Sequence, residues 1–556
     1  MTSIEQQTHS VTDVASIEKP NALSAPAQTK YRLYKRRFTG LFGFVILGVV
    51  TGMPWSWFGP ISSDTSEDFD ISINQVNWLG NIVSCVFLPV SLLIPVFCSR
   101  FGIRRCAEVG AVTLLASGWV RYAGTISSLS SRSAYALLII GQVGLPALNL
   151  CERFYIKCLP TCQFLSAISQ PIFQVLGPKY SENWFDLKGR TTATMIIAIA
   201  NPIGAALGQL LSPLVGTSRQ SILVLAIIST AATPALFFIC DAPPLPPTYA
   251  GSKPPLSLAS LCRAVLGQHV SEDAYMSPRE RADFVILSLL FGVLIGATDA
   301  LSVLSGEWFE PAGYASSTSG LMGATLLLSG ILASVVTAPL FDRVFTYRLG
   351  ATLKVLVPVV AFGWLSLIWA IRPNNTGALF AVMAIIGTCA VTMLPVGLEL
   401  GVELTRNADG SAAILWCSGN LFGIILVLVE GALRAPATAN PPYNMHNALI
   451  LNGTVVMAFG VLVFFIRARQ ARRALDEVMA GGSPPPSAVM GRTEMIPRAP
   501  EMIDLVPNFR NNEAAPVAEV VGLAAADNER WLGDERTEVG TRMSQEIEQK
   551  RSEKSP

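Results

Sequence analysis

The residue of this sequence best placed to do chemistry is Asp299, an acid within the otherwise apolar stretch GVLIGATDALSVLSG. An ionised carboxylate in the middle of a membrane helix costs at least about 2.5 kcal/mol, so it is kept mainly where it lines a water-filled path or meets a partner. Asp299 could therefore hold a cationic ligand or carry a proton. Pairing with a basic neighbour, or hydration near the membrane surface, would explain it without a function.

A second unusual stretch is GMPWSWFGP, residues 52–60, which places Trp55 and Trp57 between Pro54 and Pro60. Prolines loosen a helix, and an indole ring presents a negative face that attracts cations. The two indoles are separated by about 200° around a helix, so only one of them can face a given cavity. The alternative is that both belong to an aromatic belt at the membrane surface.

A pair of acids, Glu399 and Glu403, lies one helical turn apart near Arg406. Residues at this spacing share a helix face. The pattern is equally compatible with an ion pair that gates a path and with a hydrated helix end.

Composition indicates the elements that must position these residues. The chain has 556 residues, of which 51% are hydrophobic and 14% charged, and its mean hydropathy is +0.46. This much apolar surface predicts a bilayer protein. A net charge of +1, with basic residues confined to short loops, does not favour nucleic-acid binding. The cysteines form no CxxC pairs, so neither a disulfide framework nor a metal site is predicted.

Hydropathy predicts an all-α, polytopic membrane protein with twelve spans of bilayer length. Lys and Arg cluster in alternate loops, so the positive-inside rule places both termini in the cytosol. Residues 1–37 and 468–556 are predicted to be disordered cytoplasmic tails, and residues 241–282 a central cytoplasmic loop between halves 38–240 and 283–467. The spans are about 38–62, 75–98, 104–124, 134–176, 191–213, 220–240, 283–306, 318–341, 349–371, 377–401, 411–434 and 446–467.

The fourth span has a complication, because the charged segment ERFYIK divides it. Two separate spans would invert every later loop and place the following basic loops outside. We prefer one span interrupted by an insertion at 143–163, such as an unspliced intron translated in frame. A transcript that runs directly from Gln142 to Phe164 would establish this interpretation.

Several segments together resemble a known family: DISINQVNWLG, FGIRR, GWVRYAG, SQPIF, PKYSENWF, NPIGAALG, GLELGVEL and LFGI. In this order they are similar to the feline leukaemia virus subgroup C receptor-related branch of the major facilitator superfamily, over most of residues 31–467. The resemblance implies twelve helices in two pseudo-symmetric halves with a substrate site between them. It also implies transport of choline and ethanolamine, or historically of haem.

The resemblance carries four binding positions onto this chain. The family's first-span Trp falls on Trp55 and its fourth-span Gln on Gln170, whereas its seventh-span Tyr is replaced by Asp299 and its eleventh-span Gln by Asn420. In the family these positions hold a quaternary ammonium group, with the Trp and Tyr in cation-π contact.

The segments SRFGIRR and FDRVF resemble the facilitator gating loops, which makes Arg100, Arg104, Asp342 and Arg343 candidate gating or coupling residues beside the two glutamates. In the family, the first of these loops usually has an acid at the position of Ser99. Because Ser99 carries no charge, a charge relay through this loop is in doubt.

We therefore expect a monomeric secondary transporter of the plasma membrane or an organelle membrane, moving a small cationic solute by alternating access without a cofactor or metal. A haem or other organic-solute transporter and a non-transporting membrane receptor are the alternatives. An enzyme is not expected, because His9, His269 and His446 all lie in tails or loops and no nucleophile motif is present.

Overall fold

The computed structural model describes residues 31–143, 166–186, 189–248, 251, 256–343 and 348–468. Within these ranges the chain forms α-helices joined by short turns and 3-10 segments. The α-helices are α1 Arg36–Ser56, α2 Ser62–Phe69, α3 Ile73–Ala123, α4 Ser131–Val143, α5 Ser166–Val175, α6 Gly177–Trp184, α7 Arg190–Ala198, α8 Ala200–Leu211, α9 Ser218–Ala232, α10 Leu258–Val265, α11 Pro278–Phe309, α12 Ser316–Arg343, α13 Leu349–Ala370, α14 Thr376–Thr405, α15 Ala408–Ala432 and α16 His446–Gly460.

Ten helical segments in the described ranges are long and apolar enough to cross a membrane. One of them, α3, contains two of the predicted spans, because Gly102 has a φ of +81° and breaks the helix between them. Another consists of α7 and α8 in succession, Arg190–Leu214. The predicted all-α, multi-pass membrane fold is therefore confirmed.

The predicted fourth span corresponds to α4 and α5, which lie on either side of residues 144–165, outside the described ranges. Both helices pack along the second part of α3. A Cβ atom built on Gly124 would lie 3.0 Å from Leu137 of α4, and one on Gly110 would lie 2.9 Å from the ring of Phe173 in α5. The helices α4 and α5 thus pack against successive stretches of the same helix, α3. The proposed insertion at 143–163 stays a prediction.

The first span is shorter than predicted, since α1 ends at Ser56 and not near residue 62. After this helix the chain turns through Gly59, whose backbone touches α11: a Cβ atom there would lie 2.1 Å from the carbonyl oxygen of Ser302. Only glycine permits this approach. The turn directs the chain into the short helix α2.

Two helix pairs join the first half of the chain, α1–α9, to the second half, α11–α16: α3 packs along α15, and α8 packs along α12. Small residues also bring helices together within each half. A Cβ atom on Gly204 of α8 would lie 1.8 Å from the carbonyl oxygen of Val49 in α1. In the second half, a Cβ atom on Gly296 of α11 would lie 2.8 Å from the backbone nitrogen of Gly423 in α15. Such seams let membrane helices pack backbone against backbone.

Candidate functional site

A cavity lies between the two halves and receives side chains from both. Trp55, Gln170, Asp299 and Asn420, the four positions predicted to bind substrate, all line it. The empty space within its walls, including the part that opens outward, is about 690 Å³. The fold therefore brings together residues from α1, α5, α11 and α15 that are far apart in sequence. Their role in binding stays a prediction.

Asp299 is buried, with 8% of its surface exposed, and its carboxylate lines this cavity. Nowhere in the described ranges does it find a hydrogen bond or an ion pair. Gly423 of the neighbouring α15 makes room for it, because a Cβ atom there would lie 2.8 Å from Asp299 Oδ2. The expected alternative of a basic neighbour is thus not met among those residues. A cationic ligand, or a proton, would offset the cost of burying this group.

The two tryptophans of the first span have different environments. Trp55 lines the cavity, whereas Trp57 is fully buried in the packing of the first half, where its Nε1 donates a hydrogen bond of 2.8 Å to Ser221 Oγ. Because both side chains are buried inside the protein, the aromatic-belt alternative is wrong for this pair. The two indoles thus face different parts of the protein, as their spacing along the helix predicted.

Amide side chains form another part of the cavity wall. Beside Gln170 lie Gln174 and Asn201, which the sequence analysis did not single out. Gln174 Oε1 and Asn201 Nδ2 are buried and have no hydrogen-bond partner in the part of the chain that the structure describes. Gln174 follows Gln170 by one helical turn, a spacing that could have identified it. Asn201 belongs to NPIGAALG, whose glycines suggested only helix packing.

A second indole, Trp416, also lines the cavity and was likewise missed. It packs edge-to-face on Phe291 with ring centroids 5.3 Å apart. Its carbonyl oxygen accepts a hydrogen bond of 2.9 Å from Asn420 Nδ2. The amide nitrogen of Asn420 is therefore already engaged by its own helix, and its Oδ1 is the atom left for a ligand. Trp416 precedes Asn420 by one helical turn, and this spacing could have identified Trp416 from the sequence.

The bundle has a basic end, defined by Arg36, Arg104, Arg190 and Arg406. There Arg190, the first residue of α7, forms ion pairs with Glu399 Oε1 at 3.2 Å and Glu403 Oε1 at 3.4 Å in α14. All three side chains are less than 5% exposed. The expectation of a hydrated helix end is therefore wrong.

Arg406, which is near these glutamates in sequence, binds other acceptors at the basic end. The guanidinium of Arg406 binds Glu280 Oε1 at 2.8 Å, at the start of α11, and the carbonyl oxygen of Tyr275 at 2.7 Å. Arg406 is the left-handed C-cap of α14. The ion pairs of Glu399 and Glu403 with Arg190 thus connect the two halves of the protein.

A further contact at the basic end involves Lys179 of α6, whose Nζ lies 3.0 Å from Glu182 Oε2. Burial by itself would lower the pKa of this ammonium, but the charges of Glu182 and of Asp409, at the start of α15, raise the pKa above its usual value. The positive charge of Lys179 is thus retained between acids of both halves.

The first predicted gating loop has an unexpected acid. Arg100 is exposed. Ser99 Oγ donates a hydrogen bond to the carbonyl oxygen of Val96 in its own helix. Arg104 Nε lies 3.3 Å from Glu108 Oε1. Asp241, just after the sixth span, accepts a hydrogen bond of 2.7 Å from the backbone nitrogen of Arg104. It caps the second part of α3 from another segment. In the second loop, the side chains of Asp342 and Arg343 lie outside what the structure describes.

The opposite end of the bundle is closed by a different set of contacts. Glu307 of α11 accepts a hydrogen bond from Asn77 of α3 and binds Arg434 at 2.7 Å. Arg434 also donates to Asn74 Oδ1 at 3.3 Å. These residues were missed because each is unremarkable in sequence. With Arg190 and its glutamates, they join the halves on both sides of the cavity.

In the described ranges no group of three or more His, Cys, Asp or Glu residues could hold a metal ion. The site is a cavity in a helical membrane protein, and among the described residues its wall has indoles, amides and one carboxylate. Such cavities between two six-helix halves are typical of membrane transporters.

The comparisons with known proteins agree with this class. Residues 44–428 match the family model described as Major Facilitator Superfamily, which covers more than half of the chain, so the protein belongs to that superfamily. It is 26% identical over 473 residues to solute carrier family 49 member A3 of Xenopus tropicalis, covering 82% of this chain and 91% of that protein.

Two further relatives connect the chain to the predicted branch. It is 24% identical to the choline/ethanolamine transporter FLVCR2 of Homo sapiens, over 72% of this chain and 73% of that protein. It is 22% identical to the choline/ethanolamine transporter flvcr2a of Danio rerio, over 75% of this chain and 84% of that protein. The similarity to the receptor-related branch, expected from the ordered segments, is confirmed.

Proposed function

We propose that this protein is a secondary transporter of small organic cations, with a choline- or ethanolamine-like amine as substrate. The observation that carries the proposal is the carboxylate of Asp299, buried in the same cavity as the indole of Trp55 and lacking any partner among the described residues. A cation between them gains attraction from a full charge and from a π surface.

The two contributions differ in size. A cation on an indole face gains roughly 0.5 to 2 kcal/mol. The attraction between an ammonium and a carboxylate in a site shielded from water is larger, because the effective dielectric constant is lower than that of water. A primary or secondary amine adds charge-assisted hydrogen bonds to the carboxylate, which a fully methylated ammonium cannot donate. We therefore expect amines with N–H groups to bind better than choline.

The contacts at the two ends of the bundle support the proposal of alternating access. Release of Arg190 from Glu399 and Glu403 would open the basic end, and release of Glu307 from Asn77 would open the opposite end. The positive-inside rule favours a cytosolic position for the basic end and for both termini. Tags at the two termini should both be protected from added antibody in intact cells, and exposure of either one would contradict this orientation.

Uptake into proteoliposomes tests the proposal against its alternatives. Labelled choline and ethanolamine should accumulate in vesicles that contain the purified protein and not in empty vesicles. Asp64→Asn, which removes an exposed carboxylate of α2, is the control for Asp299→Asn. Binding without uptake would favour a non-transporting receptor. Uptake of labelled haem in place of the amines would favour the haem alternative, for which the described wall of the cavity offers neither His nor Cys as a ligand.

A further inference from the structure

A second cavity lies in the second half of the protein, between α11, α13 and α14. The space within its walls, including the part that opens outward, is about 390 Å³, and every described residue that lines it is apolar. Val357 and Met393 are among the residues that line this cavity and not the one at Asp299. It is called the apolar cavity below.

The apolar cavity is continuous with the wall of the Asp299 cavity. Leu294, Ile295, Ala390 and Leu394 line both. Leu294 and Ile295 precede Asp299 by about one helical turn, on the same helix. Leu294, Ile295 and Ala390 are only half-buried, so protein does not fill the space on that side. A ligand whose cationic group meets Asp299 therefore has an apolar space directly beside it.

We propose that the apolar cavity is a subsite for a hydrocarbon or aromatic group of the amine held at Asp299. This inference rests on the proposed function and narrows its substrate class to amphiphilic amines, larger than ethanolamine. Such a ligand matches the distribution of charge: among the described residues that line the two cavities, the only acid is Asp299 at one end, and those at the other end are all apolar. Small apolar cavities in proteins stay dry and take up apolar groups of fitting size.

The test is a displacement series. Primary amines of increasing chain length, from ethylamine to hexylamine, compete with labelled ethanolamine for the purified full-length protein in lipid nanodiscs. Each methylene that becomes buried should lower the inhibition constant about fourfold, until the apolar cavity is full. The quantity compared between variants is the ratio of the hexylamine constant to the ethylamine constant.

Two variants fill the apolar cavity from different helices. Val357→Phe of α13 and Met393→Trp of α14 should each remove most of the gain with chain length. Val359→Phe is the matched control, because Val359 lies two residues from Val357 and is 40% exposed on the outside of the bundle. It should keep the wild-type ratio. Size-exclusion chromatography detects misfolding of either variant. If one of the two filling variants misfolds, the other still tests the subsite.

The outcomes separate the inference from the proposed function. If neither ethanolamine nor any amine binds, the proposed function fails. If ethanolamine binds and the inhibition constant does not change with chain length, only the subsite is overturned. The same gain in the filling variants as in Val359→Phe would also overturn it, because the gain would then reflect partition into the lipid. A gain that appears in detergent and not in nanodiscs would show that a lipid chain occupies the cavity, which overturns a substrate role there.

Discussion

Buried carboxylates occur in two regions of this protein, and their surroundings differ. At the basic end, Glu399 and Glu403 are paired with the guanidinium of Arg190. In the central cavity, Asp299 has no counter-charge from any residue described. At the basic end one guanidinium offsets part of the charge of two carboxylates and joins two helices, whereas a buried lone charge is costly to keep without a partner. Buried carboxylates thus pair across the two halves in one region, and in the other the carboxylate has no charged partner among the residues described.

The largest expected effect is on stability at the basic end. Arg190→Ala leaves two buried glutamates without their guanidinium, which should cost about 3–5 kcal/mol. The measurement is the unfolding temperature of the purified protein. Arg190→Ala combined with Glu399→Gln and Glu403→Gln should recover part of the loss, because the uncompensated charges are removed too. If Arg190→Ala unfolds at the wild-type temperature, these ion pairs do not hold the halves together.

Asp299→Asn should reduce cation uptake without reducing stability, whereas the effect of Arg190→Ala is on stability. Removing one partner of a buried charge pair costs about 2–5 kcal/mol of binding, so cation uptake should fall at least about thirtyfold. Stability without substrate should stay the same or rise, because a lone buried charge is removed. Uptake is measured in proteoliposomes with and without a pH gradient, with Asp64→Asn as the control.

The same variant distinguishes two roles of the carboxylate. If Asp299 binds the substrate, uptake and exchange should both be lost. If it carries protons, uptake should become independent of the pH gradient while exchange persists. Transport that is unchanged at equal protein levels would remove Asp299 from the mechanism.

A smaller effect is expected at the two tryptophans of the first span. Trp55→Leu should weaken cation binding by roughly 0.5 to 2 kcal/mol through loss of the π face, and Trp55→Phe should keep part of the affinity. Trp57→Leu should lower stability and leave affinity nearly unchanged, because this indole packs in the first half and bonds to Ser221. Affinity and unfolding temperature are measured on the same preparations. Equal losses of affinity at both positions would contradict the separation of their faces.

The smallest effect is expected at the opposite end of the bundle. Glu307→Gln keeps the side-chain size and removes the charge that binds Arg434, a residue whose side chain is 21% exposed. Partly exposed pairs contribute about 0–1 kcal/mol, so stability should change little. A cysteine in place of Thr298, in the cavity wall, should become more reactive toward a soluble thiol reagent in Glu307→Gln than in the parent. Unchanged reactivity would indicate that this contact does not control access.

The sequence predicted the binding positions better than the gating contacts. Trp55, Gln170, Asp299 and Asn420 were placed by ordered motifs, and the fold brings all four to one cavity. The sequence places Glu399 and Glu403 near Arg406 along the chain and names no partner for them, whereas the structure pairs both with Arg190. Arg190 lies 209 positions from Glu399, and nothing in local spacing relates the two.

By itself, the sequence determined that the chain forms apolar helical spans and that Asp299 is an acid within one of them. The cost of exposing backbone or charge to hydrocarbon applies to each segment separately. Only the tertiary structure decided which side chains meet. It added Gln174, Asn201 and Trp416 to the cavity wall, moved the end of α1 to Ser56 and brought Asp241 to the first gating loop. These contacts depend on how helices distant in sequence pack through small residues, and a periodic pattern along one helix does not contain that information.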